Sequence, residues 1–571
     1  MAPIRRGGDN PVQAGGRCRR TFFRDLCQRM SQHPAIEELL APFETTDGPG
    51  LVVGVRCNER IVHRRGYGLA SVALGVALVP TTRMRIASVS KQFTALACLL
   101  LADDGRLDLD QPVGRYLPDL ANLPGHPTIR QFLGHTSGLR CTLELGTLAN
   151  GFAHQPAAWQ RQVLGRQRTA HFEPGRAQIY NNGTYHVLSD VVEAVSGISF
   201  EDFLSNRIFQ PLGLHDTESL RDPTMLSPRL AALHVGTPDG GWQIAPSETE
   251  LRGDGGMISS IDDLLRWLRH LRNLESTGQP VSWRALLEPT RLSTGVETTY
   301  TLGLKRHAYR GTTVLHHSGG LVGLSAQVLT VPDHSLDIVI ISNGARVNAS
   351  RLSWEIVDVL LADQLEPPLR LASSGGLGHL GGRSYRGPGG FSVGFDVDRT
   401  DGHLGVSLFH LPSVPVFRER GTELEAGFED LGMGPYCLHK SDLAATAAGE
   451  PPRSLCLRTD EGEVLLTLLP AIADDTRLWA VHGRYVCEEL RARAEIAADG
   501  TLSMQGDYGP SRPLTLRQLT DTEAIAEEQT PLVGRYSMSF KCQGDCVEGF
   551  WIDSYRARRI WFQRLPEMIT R

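Results

Sequence analysis

The chain is short of lysine. Only four of its 58 basic residues are lysines: Lys91, Lys305, Lys440 and Lys541. Arginine meets its general need for positive charge. Arginine cannot act as a base at ordinary pH, whereas a desolvated lysine can. A lysine set in apolar sequence therefore calls for a chemical reason. Long apolar runs are also missing, since no segment reaches the roughly 18 residues of a membrane span. Met1-Ala-Pro-Ile-Arg-Arg carries charge without an apolar stretch behind it, which is not the pattern of a secretory signal. Charge of one sign is scarce too. A net −6 over 571 residues gives no footing for nucleic acid or an anionic membrane surface. Ten cysteines are spread thinly, and only Cys542 and Cys546 lie close together, with no histidine pair to complete a metal site. No metal and no cofactor is expected, and the thiols read as the reduced thiols of a cytoplasmic protein.

What is present divides the chain into stretches of different texture. Residues 1–34 read as a disordered leader. Residues 35–365 mix helical and strand-like periodicity. Strands are expected at 50–56, 59–64, 300–304, 325–331 and 336–343, with helices between them. This predicts an α+β domain whose antiparallel sheet is covered by helices. Residues 366–376, Glu-Pro-Pro-Leu-Arg-Leu-Ala-Ser-Ser-Gly-Gly, form a linker. Beyond it short alternating runs separated by turns predict two small antiparallel β-barrel domains, 377–475 and 476–571. Gly-Arg-Tyr recurs at 483–485 and 534–536, with a looser Gly382-Arg-Ser-Tyr385.

The chemistry centres on Met84-Arg-Ile-Ala-Ser-Val-Ser-Lys91. From Ser88 to about Ala102 the pattern predicts a helix with a broad apolar face, stopped by Asp104-Gly105. Residues i and i+3 share a face, so the Lys91 amine can reach the Ser88 hydroxyl. A serine at a helix start beside an amine able to lose its proton is an activated nucleophile. Tyr180-Asn-Asn182 lies in a polar loop before the next amphipathic helix, and His317-Ser-Gly-Gly320 lies between two strand-like runs. His135, in Gly-His-Thr-Ser-Gly, reads as a structural turn residue.

Ser-x-x-Lys, then Tyr-x-Asn, then His-x-Gly is an order that resembles the serine β-lactamase and penicillin-binding-protein superfamily over roughly residues 45–365. Ser88-Val-Ser-Lys-Gln-Phe-Thr94, Gly134-His-Thr-Ser-Gly-Leu139 and His317-Ser-Gly-Gly320 look like its class C branch. His171-Phe-Glu-Pro-Gly175, the histidine of the third motif and two trailing β-domains are similar to bacterial D-aminopeptidases, which remove N-terminal D-residues.

The resemblance implies a serine hydrolase that forms an acyl-enzyme, with a small peptide or amide as substrate and a homodimer as candidate assembly. Ser88 would attack the carbonyl, and Lys91 and Tyr180 would handle the proton, either being the base. Asn182 would bond the lysine or the substrate amide. The N–H groups of Ser88 and Gly320 would hold the oxyanion. Gly319 would let the edge strand approach the substrate. His317 stands where penicillin-recognising members carry lysine. For an aminopeptidase, the acidic turn Asp521–Gln529 is a candidate to close the pocket with a carboxylate, or else a solvated loop. Lys305 pointing inward would favour a substrate carboxylate instead. A related esterase, a carboxypeptidase-type hydrolase, or a binding protein on the same scaffold are the competing readings.

Overall fold

In the computed structural model, residues 34–566 are described apart from 45–46, 223, 247–249, 275–280, 345–346, 410–415, 429–432, 460–461, 471–480, 529–534 and 545. The expected leader therefore lies almost wholly outside the described residues.

The first sheet has six antiparallel strands in the order Lys305–Tyr309, Thr312–Leu321, Leu324–Val331, Leu336–Ser342, Leu51–Cys57 and Arg60–Tyr67. The first strands in sequence complete the sheet begun by the last ones, pairing Leu51 with Ser342 and Cys57 with Leu336. Leu336–Ser342 is buried along its whole length, because both faces are covered. Helices Pro34–Leu40 and Ala349–Leu360 close one face. The other carries the larger core, built around helices Lys91–Asp103, Asn182–Ser196 and Ile261–Arg272. From Lys91 to Leu101 every residue of the first of these is buried. A helix apolar nearly all round is the centre of a domain, not its surface, so a lysine there is enclosed.

Three local expectations shift. The helix at the nucleophile begins at Lys91, and Ser88 sits in the tighter 3-10 turn Ala87–Ser90 ahead of it. Asn182 is the first residue of its helix, capped by the Asn181 side chain, which accepts from the Thr184 N–H at 3.3 Å. The strand expected at 300–304 is instead a turn, with Gly303 at φ +85° and the Thr301 N–H bonded to the Leu304 carbonyl at 2.9 Å. The strand starts at Lys305. At Gly303 a Cβ would stand 2.8 Å from the Lys91 carbonyl oxygen, so only glycine lets this turn lie against the catalytic helix.

The C-terminal part is all β, as its texture predicts. Strands from Ser384–Arg386 to Gly462–Leu468 make an eight-stranded sheet; a bridge from Gly405, in one end strand, reaches Val416, just ahead of the other end strand Arg418–Arg420. Strands from Gly483–Cys487 to Ile560–Arg564 make a closed eight-stranded barrel. The expected split near 476 falls outside the described residues. The Gly-Arg-Tyr repeat does not mark two tandem barrels: Tyr485 and Tyr536 lie on two strands of the same barrel. One hydrophobic core joins that barrel to the catalytic domain. Leu145, Leu148 and Trp159, from helices Thr142–Asn150 and Ala157–Arg166, pack with barrel residues such as Tyr485, Met504 and Phe550.

Candidate active site

The nucleophile turn is strained. Ala87 has φ +46°, a left-handed conformation that costs a non-glycine residue on the order of 1 kcal/mol or more. It leads directly into Ser88. One turn later the Lys91 Nζ lies 3.1 Å from Ser88 Oγ, 2.8 Å from Asn182 Oδ1 and 2.6 Å from the Asp254 carbonyl oxygen. The last two atoms only accept. A neutral amine has two N–H groups for them and keeps its lone pair for the Ser88 O–H. Burial pulls this amine down to about 7, against the opposing pull of the Asp254 carboxylate.

Tyr180 is buried and hydrogen-bonded to Ser88. Burial pushes its phenol well above the usual value, with the Ser88 bond opposing the rise. It is thus a phenol and not a phenolate, and Lys91 is the more readily deprotonated of the pair. His135 holds Tyr180 in place. Its ring centroid is 4.3 Å from that of Tyr180 and its Nδ1 accepts from the Asn181 N–H at 3.1 Å. The structural role expected of His135 is what the geometry gives.

Strand Thr312–Leu321 forms the opposite wall. The His317 Nδ1 lies 2.6 Å from the Ser318 carbonyl, which only accepts, so this nitrogen carries the proton. Its Nε2 then accepts from the Tyr300 hydroxyl at 3.1 Å. Burial, followed by the nearby Lys91, lowers the imidazole to about 3, so it stays neutral. Gly319 serves a different contact from the one expected. Its missing Cβ would lie 2.3 Å from the Ile86 carbonyl oxygen, so the glycine lets the strand close on the nucleophile turn. At Gly320 a Cβ would meet nothing within 4 Å, and this residue lines the pocket.

That pocket has a volume of about 150 Å³ and contains Ser88, Tyr180, Asn182, His317 and Gly320. All five expected catalytic residues therefore converge, with Lys91 directly behind Ser88. Three further residues join them that the sequence did not single out or left open: Asp254, Lys305 and Arg556. Asp254 faces His186 at 3.4 Å and accepts from the Arg252 N–H at 2.9 Å. Burial raises its carboxyl, but the His186 contact and the positive charges outweigh this and hold it below the usual range.

Arg556 arrives from the barrel. It sits between strands Cys546–Asp553 and Ile560–Arg564, with its guanidinium carbon 4.8 Å from the Tyr180 ring centroid. Its loop is fastened to the catalytic domain. The Cys141 N–H donates to the Arg556 carbonyl at 3.0 Å, the Arg558 N–H donates to His171 Nε2 at 3.0 Å, and Arg140 Nε donates to the Arg558 carbonyl at 2.7 Å. Half-buried Glu144 accepts from the Arg556 N–H at 3.2 Å. So a loop of the terminal barrel does reach the site, but it is not the acidic one and it brings a cation. Residues Glu523–Glu528 of the expected acidic turn are a barrel strand, with Glu523 engaged by Ser539 at 3.2 Å. Gln529 lies outside the described residues. The one textual signal for the true loop was its density of arginine, Tyr555-Arg-Ala-Arg-Arg559.

Fold and site together define an α+β protein with a Ser/Lys/Tyr centre suited to acyl transfer. The chain belongs to the Beta-lactamase family, whose model matches residues 35–363. Among curated relatives it is 29% identical over 333 residues to a D-aminopeptidase of Brucella ovis, covering 58% of this chain and 62% of that protein. It is 30% identical over 333 residues to a D-aminopeptidase of Brucella anthropi, covering 57% and 62%. The chain thus spans 62% of the length of these relatives. Among solved structures it is similar to an octameric penicillin-binding protein homologue from Pyrococcus abyssi, with TM-score 0.51, 16% identity and coverage of 93% and 98%. It is also similar to SurE solved with D-Leu, with TM-score 0.51, 24% identity and coverage of 77% and 99%. These two likenesses speak to fold. Among the described residues no helix is long and apolar enough to cross a membrane, and no group of His, Cys, Asp and Glu could hold a metal ion.

Proposed function

We propose that this protein is a serine hydrolase that forms an acyl-enzyme on Ser88 and acts on an amide or ester whose leaving part carries a carboxylate. The observation that carries the second half is the pair Lys305 and Arg556 lining the Ser88 pocket. Among the described residues its one lining carboxylate, Asp254, is engaged by His186 and a backbone N–H, and Glu144 lies 3.8 Å from the Arg556 guanidinium. What the two cationic side chains add to the pocket is N–H donors, which suit a carboxylate and which an ammonium cannot use.

The steps follow from the groups in place. Neutral Lys91 takes the Ser88 proton as Oγ bonds to the substrate carbonyl carbon. The carbonyl π electrons move to its oxygen, which the N–H groups of Ser88 and Gly320 hold. As the oxyanion collapses, the bond to the leaving nitrogen or oxygen breaks, and that atom takes a proton from the Lys91 ammonium through the Tyr180 hydroxyl. Water then adds to the acyl carbon, gives its proton to Lys91, and Ser88 leaves with that proton restored. Tyr180 remains a phenol between transfers, in keeping with the upward push on its ionisation.

A second reading, a D-stereospecific aminopeptidase, is favoured by the 29–30% identity to proteins of that name. It requires a home for a substrate ammonium, and the cations weigh against one. The test compares N-acetyl-D-alanyl-D-alanine, its C-terminal amide, and the p-nitroanilides of D- and L-alanine. The carboxylate reading expects the free acid to be cleaved best. Fast cleavage of D-alanine p-nitroanilide with no turnover of the free acid would replace it with the aminopeptidase.

A further inference from the structure

Beside the catalytic pocket lies a second, larger hollow of about 460 Å³. The two adjoin: Leu251 and Leu321 line both, Gly255 lines the small one and Gly256 the large one. Arg85, three residues before the nucleophile, also lines the hollow, so its wall and the Ser88 turn are one stretch of chain. Most of the remaining lining is aliphatic or alanine, from Leu220 and the run Leu230–Leu233. Three large apolar side chains of this lining stand open to solvent: Met225 at 49%, Leu226 at 98% and Ile244 at 60% exposure. A lone exposed apolar residue needs no explanation. Three around one concavity mark a surface that something apolar covers.

The charges are unequally shared: among the described residues Arg85 is the one charged residue lining the hollow, while Lys305, Arg556 and Asp254 line the small pocket. A pocket of about 150 Å³ has room for the reacting group and a carboxylate. The hollow falls in the size range of small-molecule sites, roughly 300–1,000 Å³. We propose that the hollow is the acyl subsite, and that the substrate is an N-acylated amino acid or peptide whose acyl part is a large apolar group such as a medium-length fatty chain. The scissile carbonyl sits at Ser88, the apolar arm runs past Leu251 and Leu321 into the hollow, and the carboxylate end turns toward Lys305 and Arg556. A free α-ammonium on the acyl side would instead meet Leu251 and Leu321, which both cavities share.

This rests on the hydrolase reading but is tested by binding alone. Ser88→Ala protein, which cannot form the acyl-enzyme, is titrated calorimetrically with N-acetyl- and N-octanoyl-alanine of both hands. The octanoyl compound of the preferred hand should bind on the order of 100-fold tighter, below what full burial of six methylenes allows. Adding Ile244→Glu or Leu226→Glu, at positions exposed enough to accept a charge without unfolding, should remove at least tenfold of that advantage and leave acetyl binding unchanged. Equal affinity for the two chain lengths, equal weakening of both by the glutamates, or no binding of either overturns the subsite. A protein that discriminates chain length here while the wild type hydrolyses nothing keeps the subsite and loses the hydrolase. One that hydrolyses without discriminating does the reverse.

Discussion

The Arg556 guanidinium lies 4.8 Å over the ring of Tyr180, so a residue of the terminal barrel shares the pocket with a residue of the catalytic constellation. The arrangement divides labour. Ser88, Lys91 and Tyr180 belong to the part that matches the Beta-lactamase family, while one wall of their pocket is borrowed from the barrel. Arg556→Gln should therefore raise KM for substrates with a free carboxylate by about thirtyfold or more, which corresponds to the lower end of the 2–5 kcal/mol typical of a charged contact. Hydrolysis of a neutral p-nitrophenyl ester should change little. Equal loss on both substrates would make Arg556 a structural residue only. The Lys305→Gln variant is expected to show the same split.

Burial sets the working range of Lys91. With its amine near 7, kcat/KM should rise with pH through that value and level off above it. At pH 5 it should lie roughly 100-fold below the plateau, since tenfold of the neutral amine is lost per pH unit. Lys91→Arg cannot reach the neutral form and should be inactive at every pH. Stability carries the same mark. Between about 7 and the ordinary lysine value of 10.5 the unfolded chain binds more protons than the folded one. The free energy of unfolding should therefore rise with pH across that window. Thermal melts of wild type and Lys91→Met would check this, with the slope reduced in the variant.

Two adjacent glycines should respond differently. In Gly319→Ala the new methyl would stand 2.3 Å from the Ile86 carbonyl oxygen. The strand must then retreat from the nucleophile turn, at a cost of about 1–3 kcal/mol and a loss of about 100-fold in kcat. Gly320→Ala meets open space, so its melting temperature should stay unchanged while the narrowed pocket lowers turnover. Melting curves and steady-state kinetics on the two variants separate the effects.

Relaxing the backbone at Ala87 offers an opposite trade. Ala87→Gly removes the cost of φ +46° and should stabilise the fold by about 1 kcal/mol. The freer turn should hold Ser88 less well and lower kcat. Urea unfolding set beside the initial rate tests both halves. A variant with unchanged stability would show that the turn is not strained.

Much of the catalytic site was legible in the sequence because its spacing is local. Ser88 and Lys91 meet by helical geometry, and Tyr180 and Asn182 flank a capping Asn181. The rest required the fold. Tyr300-Thr-Leu-Gly-Leu304 alternates like a strand, but Gly303 turns there, and the turn is what aims Tyr300 at His317. The hydrogen bond that Asp254 accepts from Lys91 is made by its backbone oxygen, which any residue type would supply. Composition could not say which barrel hairpin faces the catalytic domain. An acidic run suited the expected ammonium, whereas the loop that arrives is held by Cys141, His171 and Glu144, contacts made across hundreds of residues. His171 carried a family resemblance in the sequence, and its role as an anchor for Arg558 became visible only with the two parts assembled.

The common core of barrel and hydrolase has an evolutionary corollary. Trp159 and Tyr485 belong to the same buried cluster, so neither half is free to drift from the other. In the hairpin that carries Arg556, Ala557 belongs to that cluster and Arg556 itself does not. A change at Arg556 alone can therefore reshape one wall of the pocket while the Ser88 turn and the seam that joins the two parts stay as they are.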